Sequence, residues 1–266
     1  MIFFPPAKIN LGLRVLGKRE DGFHEIDSCM VAIPFFDVLE ILHSESFEFK
    51  QTGLQIDGEP NGNLVVRAYD LVASIYDLPP VYIHLQKHIP MGAGLGGGSA
   101  DATFTIIGLN ELFNLNLMSI DIQNLASQLG SDCAFFASSS AQIVSGRGEV
   151  LTPYSVDLKN MYLKIVNPGI HISTHEAFSN VKLSSSEKSV KNVLEQPIKS
   201  WSAELKNDFE SSVIDQYPIL SDIKSKLYQE GAVYASMTGS GSTMFAIYEF
   251  EPKPTFENYF ERIMKL

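Results

Sequence analysis

Apolar and polar residues alternate with period two along Lys8-Ile9-Asn10-Leu11-Gly12-Leu13-Arg14-Val15. That pattern predicts a strand with Ile9, Leu11, Leu13 and Val15 toward a core and Lys8, Asn10 and Gly12 on the opposite face. Shorter strand patterns recur at 38–41, 47–49, 81–85, 162–166 and 243–248. Leu64, Ala68, Leu71 and Ile75 fall at helical spacing behind Asn63, a suitable cap. A second helix is expected from Ser99 to Phe113, and a third starts at Ser119 with Asp121 in its first turn. Glycine punctuates the rest: turns are expected at 17–22, 130–132, 146–149, 168–169 and 238–242. The Ser- and Lys-rich stretch 182–200 reads as a solvated connection with a short helix. His171 and His175 are four apart, but β-branched Ile172 and Thr174 argue against a helix and hence against a metal pair.

Composition narrows the class. A chain of 266 residues, 45% of them hydrophobic, is long enough for one large core or two smaller ones. With 20 Lys and Arg against 31 Asp and Glu, the net charge of −11 argues against binding a nucleic-acid backbone or an anionic membrane surface. Cys29 and Cys133 form no metal-ligand or disulfide spacing, which fits a reducing, cytoplasmic setting. Pro5-Pro6 interrupts the apolar start before a signal-peptide core forms, and no apolar run is long enough for a membrane span.

Five of the 19 glycines lie within Pro90-Met91-Gly92-Ala93-Gly94-Leu95-Gly96-Gly97-Gly98-Ser99-Ala100-Asp101-Ala102. Residues without a Cβ let successive backbone N–H groups converge on one point, and a following helix adds its own free N–H groups and dipole. Strand, glycine loop and helix in that order describe a phosphate cradle. Gly92, Gly94 and Gly97 satisfy G-x-G-x-x-G, but a second helix follows where a dinucleotide fold needs a strand. No Lys-Ser or Lys-Thr follows the last glycine, as a Walker loop requires, and no lysine-bearing strand follows, as in a protein kinase.

The loop instead resembles the phosphate motif of the GHMP kinases, the superfamily of galactokinase, homoserine kinase, mevalonate kinase and phosphomevalonate kinase. Within it, the pattern is similar to the branch that acts on a cytidine diphosphate ester. The likeness extends in order to Pro6-Ala7-Lys8-Ile9-Asn10-Leu11, Asp21-Gly22-Phe23-His24-Glu25, Gly130-Ser131-Asp132 and Thr238-Gly239-Ser240-Gly241, and so covers nearly the whole chain. Departures are Phe23 in place of the commoner Tyr, and Ser131, Cys133 and Ala134 where Ala, Val and Pro are usual. The resemblance implies a two-domain α+β fold with the active site in the cleft between domains. Residues 1–151 would form the ATP-binding domain and 152–266 a domain contributing to substrate binding.

Phosphoryl transfer needs held phosphates, an offset for their charge and an oriented acceptor. Residues Pro90 to Ser99 supply the first, Lys8 is a candidate for the second and Asp132 for the third; the resemblance makes Lys8 and Asp132 the catalytic pair. It also implies that Asn10, Phe23, His24, Thr174 and Phe178 bind substrate, with cytosine stacked between Phe23 and Phe178. Gly239 and Ser240 would close on the phosphates as a third motif, and Asn63, Leu64 and Lys87 are candidates for contacts with adenine. ATP is the implied phosphoryl donor, with Mg2+ held chiefly by phosphates and water and no carboxylate ligand assigned. The implied reaction is phosphorylation of the 2-hydroxyl of the cytidine diphosphate ester, a step toward isoprenoid precursors. A homoserine- or mevalonate-type kinase and a non-catalytic nucleotide-binding module on the same fold are the alternatives. No oligomeric state is legible.

Overall fold

The computed structural model describes residues 1–55, 62–138, 140–184 and 188–266. In chain order the elements begin β1 (Ile2–Phe3), β2 (Pro6–Lys18), β3 (His24–Phe36), β4 (Val38–His43), β5 (Glu48–Gly53), α1 (Leu64–Tyr76), β6 (Val81–Lys87), α2 (Gly97–Phe113) and α3 (Ser119–Ser127). After a 3-10 turn at Cys133–Ala137 come β7 (Gln142–Ser145), β8 (Val150–Pro153), β9 (Tyr162–Asn167), α4 (Thr174–Ser179), α5 (Val190–Leu194), α6 (Ile198–Glu204), α7 (Phe209–Gln216) and α8 (Ile219–Gln229). The chain ends through β10 (Tyr234–Met237), β11 (Met244–Tyr248) and β12 (Phe260–Lys265). Two compact units interleave along it: residues 1–8, 35–91 and 96–139 form one, and 9–34, 92–95 and 140–266 the other.

The first unit is built on a sheet of order β1-β4-β6-β5, antiparallel except for the parallel pair β5 and β6, between which α1 lies in the chain. Asn63 caps α1 through its side-chain oxygen, 2.9 Å from the Val65 N–H, as the sequence predicts. One face of α1 and one of α2 bury Val65, Ala68, Val72, Ala102, Ile106 and Leu109 with Leu39, Ile41, Ile83 and Leu85 of the sheet. α2 begins two residues earlier than its apolar pattern suggests, because Gly97 and Gly98 are already helical.

The second unit holds the sheets β2-β3-β7-β8 and β10-β11-β9-β12. Ile9, Leu11, Leu13 and Val15 are buried as expected, but Asn10 and Gly12 on the other face are buried too, so the alternation marks chemistry rather than a solvent face. Every residue of β11 is buried, and Val166, Ala246, Phe209, Val213, Leu220, Ile223 and Leu227 share its core. Of the helices in this part of the chain, α6 is anchored by Trp201, α7 by Phe209 and Val213, and α8 by Leu220, Ile223 and Leu227 along one face.

His171 and His175 share no helix, as expected: α4 begins only at Thr174, where Ser173 caps it by accepting the Glu176 N–H at 3.1 Å, and His171 and buried Ile172 stay outside. One expectation is corrected. Residues 190–194 are not a solvated connection: Val190 and Val193 are buried, and the Val190 N–H donates to Asp27 at 2.7 Å. Residues 185–187 lie outside the described residues. Among the described residues no helix is long and apolar enough to cross a membrane.

Candidate active site

The glycine loop is stiffened by its own alternation. Gly92, Gly94 and Gly96 take φ of 60°, 75° and 69°, while the intervening Ala93 and Leu95 are buried as anchors. Left-handed residues at alternate positions turn neighbouring N–H groups to one side, the geometry of an anion-binding nest. Gly94 also has no room for a side chain, since a Cβ there would lie 2.0 Å from the Thr238 carbonyl oxygen. α2 then starts at Gly97 with neither a side-chain cap nor an acidic residue in its first turn. Its first N–H groups and the positive end of its dipole are thus left for an anion.

Beside the loop–helix junction lies the pair that the sequence singles out. Lys8 Nζ stands 3.2 Å from Asp132 Oδ2, the lysine side chain 3% exposed and the aspartate 34%. A Cβ on Gly96 would come within 2.9 Å of Lys8 Cγ, so the lysine stem runs directly against the start of α2. Asp132 opens the 3-10 turn, which is tied to α2 by Thr103 Oγ1 donating to the Cys133 carbonyl at 2.7 Å. That bond anchors the residue next to Asp132 through its backbone carbonyl, whatever its side chain. Burial pushes the Cys133 thiol up to about 11, which keeps it protonated and unreactive.

In the second unit, Asn10 serves the third motif. Its Oδ1 accepts the Gly239 N–H at 3.1 Å, its Nδ2 donates to Ser28 Oγ at 2.9 Å, and its backbone N–H donates to Thr238 Oγ1 at 3.1 Å. Thr238 Oγ1 in turn donates to the Gly94 carbonyl at 3.1 Å. Gly94, Asn10, Thr238 and Gly239, distant in sequence, are therefore one hydrogen-bonded assembly, with Ser240 next in the turn. His171 lies against the loop from outside the motifs: a Cβ on Gly92 would be 2.4 Å from His171 Nδ1.

The aromatic residues also meet, in a different pairing from that expected. Phe178 stacks on His24, ring centroids 4.7 Å apart and 19° between planes, and Phe209 meets Phe178 at 83°. Phe23 is half exposed and carries the Arg147 guanidinium 4.9 Å above its ring. Asp21 fixes the Phe23 backbone by accepting its N–H at 3.1 Å, and Glu25 accepts the Gly146 N–H at 2.9 Å, which joins the two turns. Thr174 is exposed at the start of α4.

Of the adenine candidates, Leu64 lies beside Gly98, as does Met91 of the loop, whereas the Asn63 side-chain oxygen is taken by the α1 cap. Lys87 departs from expectation. It is fully buried, and its ammonium is bound by Asp37 and, at 2.7 Å, by Asp101, so its side chain is not offered to a nucleotide. No sequence signal links Asp37, Lys87 and Asp101, because a strand end, a loop and a helix bring them together only in the fold.

The sequence matches the GHMP kinases N terminal domain over residues 63–144 and the GHMP kinases C terminal domain over residues 189–263. The fold recurs in the mevalonate kinase of Methanococcus jannaschii, with a TM-score of 0.71 at 14% identity over 100% of this chain and 97% of that one. Fold, glycine loop and lysine–aspartate pair thus define a kinase of the GHMP class. The 4-diphosphocytidyl-2-C-methyl-D-erythritol kinase of Cytophaga hutchinsonii is 44% identical, covering 97% of this chain and 96% of its own. That of Bacteroides fragilis is 46% identical over 96% and 94%. A crystal structure of 4-(cytidine 5'-diphospho)-2C-methyl-D-erythritol kinase has a TM-score of 0.80 at 29% identity, covering 92% of this chain and 89% of that one. The chain belongs to the 4-diphosphocytidyl-2-C-methyl-D-erythritol kinase family, and it is an enzyme.

Proposed function

We propose that the protein transfers the γ-phosphoryl group of ATP to the 2-hydroxyl of 4-diphosphocytidyl-2-C-methyl-D-erythritol, a step toward isoprenoid precursors in the cytoplasm. The observation that carries this reading is the Lys8–Asp132 pair at 3.2 Å against the uncapped start of α2. It sets a cation and an acceptor-orienting carboxylate beside N–H groups suited to phosphate. In this reading residues 1–151 bind ATP and residues 152–266 contribute to the cytidylyl substrate.

The loop N–H groups from Gly92 to Ser99 hold the donor phosphates, with Gly239 and Ser240 closing from the third motif. Lys8 offsets the charge that spreads over the transferred group. Asp132 accepts a hydrogen bond from the substrate 2-hydroxyl and aligns its oxygen with the γ-phosphorus. As the new P–O bond forms and the bond to the β-phosphate oxygen breaks, the hydroxyl proton passes to Asp132 and ADP leaves. A carboxylate is a weak base toward an alcohol, so the proton moves late, after the loose transition state has built up negative charge. Phe23, His24, Thr174 and Phe178 bind the cytidine end, where π faces and an imidazole suit a pyrimidine base.

A Mg2+ ion brought with the nucleotide would supply further charge neutralisation. Among the described residues no group of three or more His, Cys, Asp and Glu side chains is set to cage a metal.

The test is incubation with γ-labelled ATP and a panel of the cytidylyl ester, mevalonate and homoserine. Label in the cytidylyl ester alone is expected. Transfer to another acceptor would reassign the substrate, and ATP binding without transfer to any would leave a nucleotide-binding module.

A further inference from the structure

The glycine loop is entered through His88 and Ile89 and left through the first turns of α2, and both flanks are fastened to one buried cluster. Asp37, just before β4, accepts the backbone N–H of His88 at 2.5 Å and of Ile89 at 2.9 Å through Oδ1. Its Oδ2 takes the Lys87 ammonium, whose other carboxylate partner is Asp101 Oδ2 in α2 at 2.7 Å. All three side chains are essentially excluded from solvent. Gly97 lets the helix come this close, since a Cβ there would lie 2.8 Å from Lys87 Nζ and 2.8 Å from Ile89 Cγ2.

We propose that Lys87 is a positioning residue for the donor phosphates, clamping the outgoing helix through Asp101 to the incoming strand that Asp37 holds. The proposal rests on the reading that ATP binds this loop. Its physical basis is that a nest of N–H groups binds phosphate only if its two flanks keep their separation, and a clamp removes that freedom before ligand arrives. Surface charges elsewhere on α2 cannot do this, because a solvated ion pair is too weak and too mobile to fix a helix end. Buried, the cluster also explains why a lysine occupies the strand end without reaching a nucleotide. Among the described residues the Asp101 Oδ1 atom has no hydrogen-bond partner, so the side chain is held through its neighbours Lys87 and Asp37.

The test compares wild-type protein with Asp101→Ala, Asp101→Asn and the uncharged triple variant Lys87→Met/Asp37→Asn/Asp101→Asn. The readouts are Kd for a fluorescent ATP analogue, KM for the cytidylyl ester, and Tm. Asp101→Ala is expected to weaken nucleotide binding at least fivefold, with KM for the cytidylyl ester within twofold of wild type. Asp101→Asn, which keeps an acceptor for the ammonium, is expected to recover most of that loss. Replacing a buried ion cluster as a set is often close to neutral for folding, so the triple variant serves if the alanine variant does not fold. A lowered Tm with unchanged nucleotide Kd, in either variant, would show that the cluster only stabilises the fold and would overturn the proposal. Wild-type protein that fails to bind the analogue would overturn the ATP reading itself, and the clamp with it.

Discussion

The imidazole of His24 lies flat on the ring of Phe178, centroids 4.7 Å apart. The two residues come from the start of β3 and from α4, and they cover one another where a base would stack. In the proposed reading, a cytosine stacked on the face of Phe178 that His24 covers would have to displace the imidazole. Arg147 occupies Phe23 in the same manner, so the ring faces that would receive substrate are already in contact with neighbouring side chains.

Phe178→Ala removes the stacking face without touching the loop. Base stacking on one aromatic is worth about 1–3 kcal/mol, so KM for the cytidylyl ester is expected to rise about tenfold or more. The KM for ATP should stay near wild type in the same steady-state assay. An unchanged KM for the ester would remove Phe178 from the substrate site.

Asp132→Ala takes away the carboxylate proposed to orient the acceptor hydroxyl and to receive its proton. A loss of about 10²–10⁴-fold in kcat is expected for a general acid–base residue. The Kd for ATP, measured by titration, should change little, because the N–H groups of the loop remain. Near-normal turnover would exclude Asp132 from the chemistry.

Gly94→Ala tests the backbone of the cradle. The left-handed conformation costs a non-glycine residue roughly 1–2 kcal/mol, and the new methyl would meet the Thr238 carbonyl at 2.0 Å. Both Tm and ATP affinity are expected to fall. A variant with wild-type Tm and wild-type affinity would show that the loop does not need this geometry.

Asp101 gives a pH signature. Burial pushes its carboxyl up to about 7 from 3.8; the Lys87 cation opposes the shift and the neighbouring Asp37 adds to it. These two are the titratable groups that act on it among the described residues. An acid that keeps its proton more readily when folded contributes stability that is complete below the unfolded value and is lost as pH rises through the folded one. The Tm of wild type minus that of Asp101→Asn is therefore expected to fall as the pH rises from about 4 to 8. A flat or rising difference would show that Asp101 is ionised in the folded chain throughout.

The sequence by itself determined the local pieces. Period-two alternation marked β2, Asn63 marked the start of α1, and the density of glycine at 92–98 marked the loop, because each is written in neighbouring residues. Lys8 and Asp132 stand out in the sequence through their motifs, and the fold brings the two side chains together as an ion pair. What only the tertiary structure decided are relations between distant segments. The stack of His24 on Phe178, the bonds from Asn10 to Gly239 and the burial of Lys87 between Asp37 and Asp101 join residues from separate elements. The helix at Thr174–Ser179 was settled by a cap and by packing against weak local preference. Propensity acts between neighbours in sequence, whereas desolvation and charge pairing act between neighbours in space, and Lys87 is the residue on which the two readings differ most.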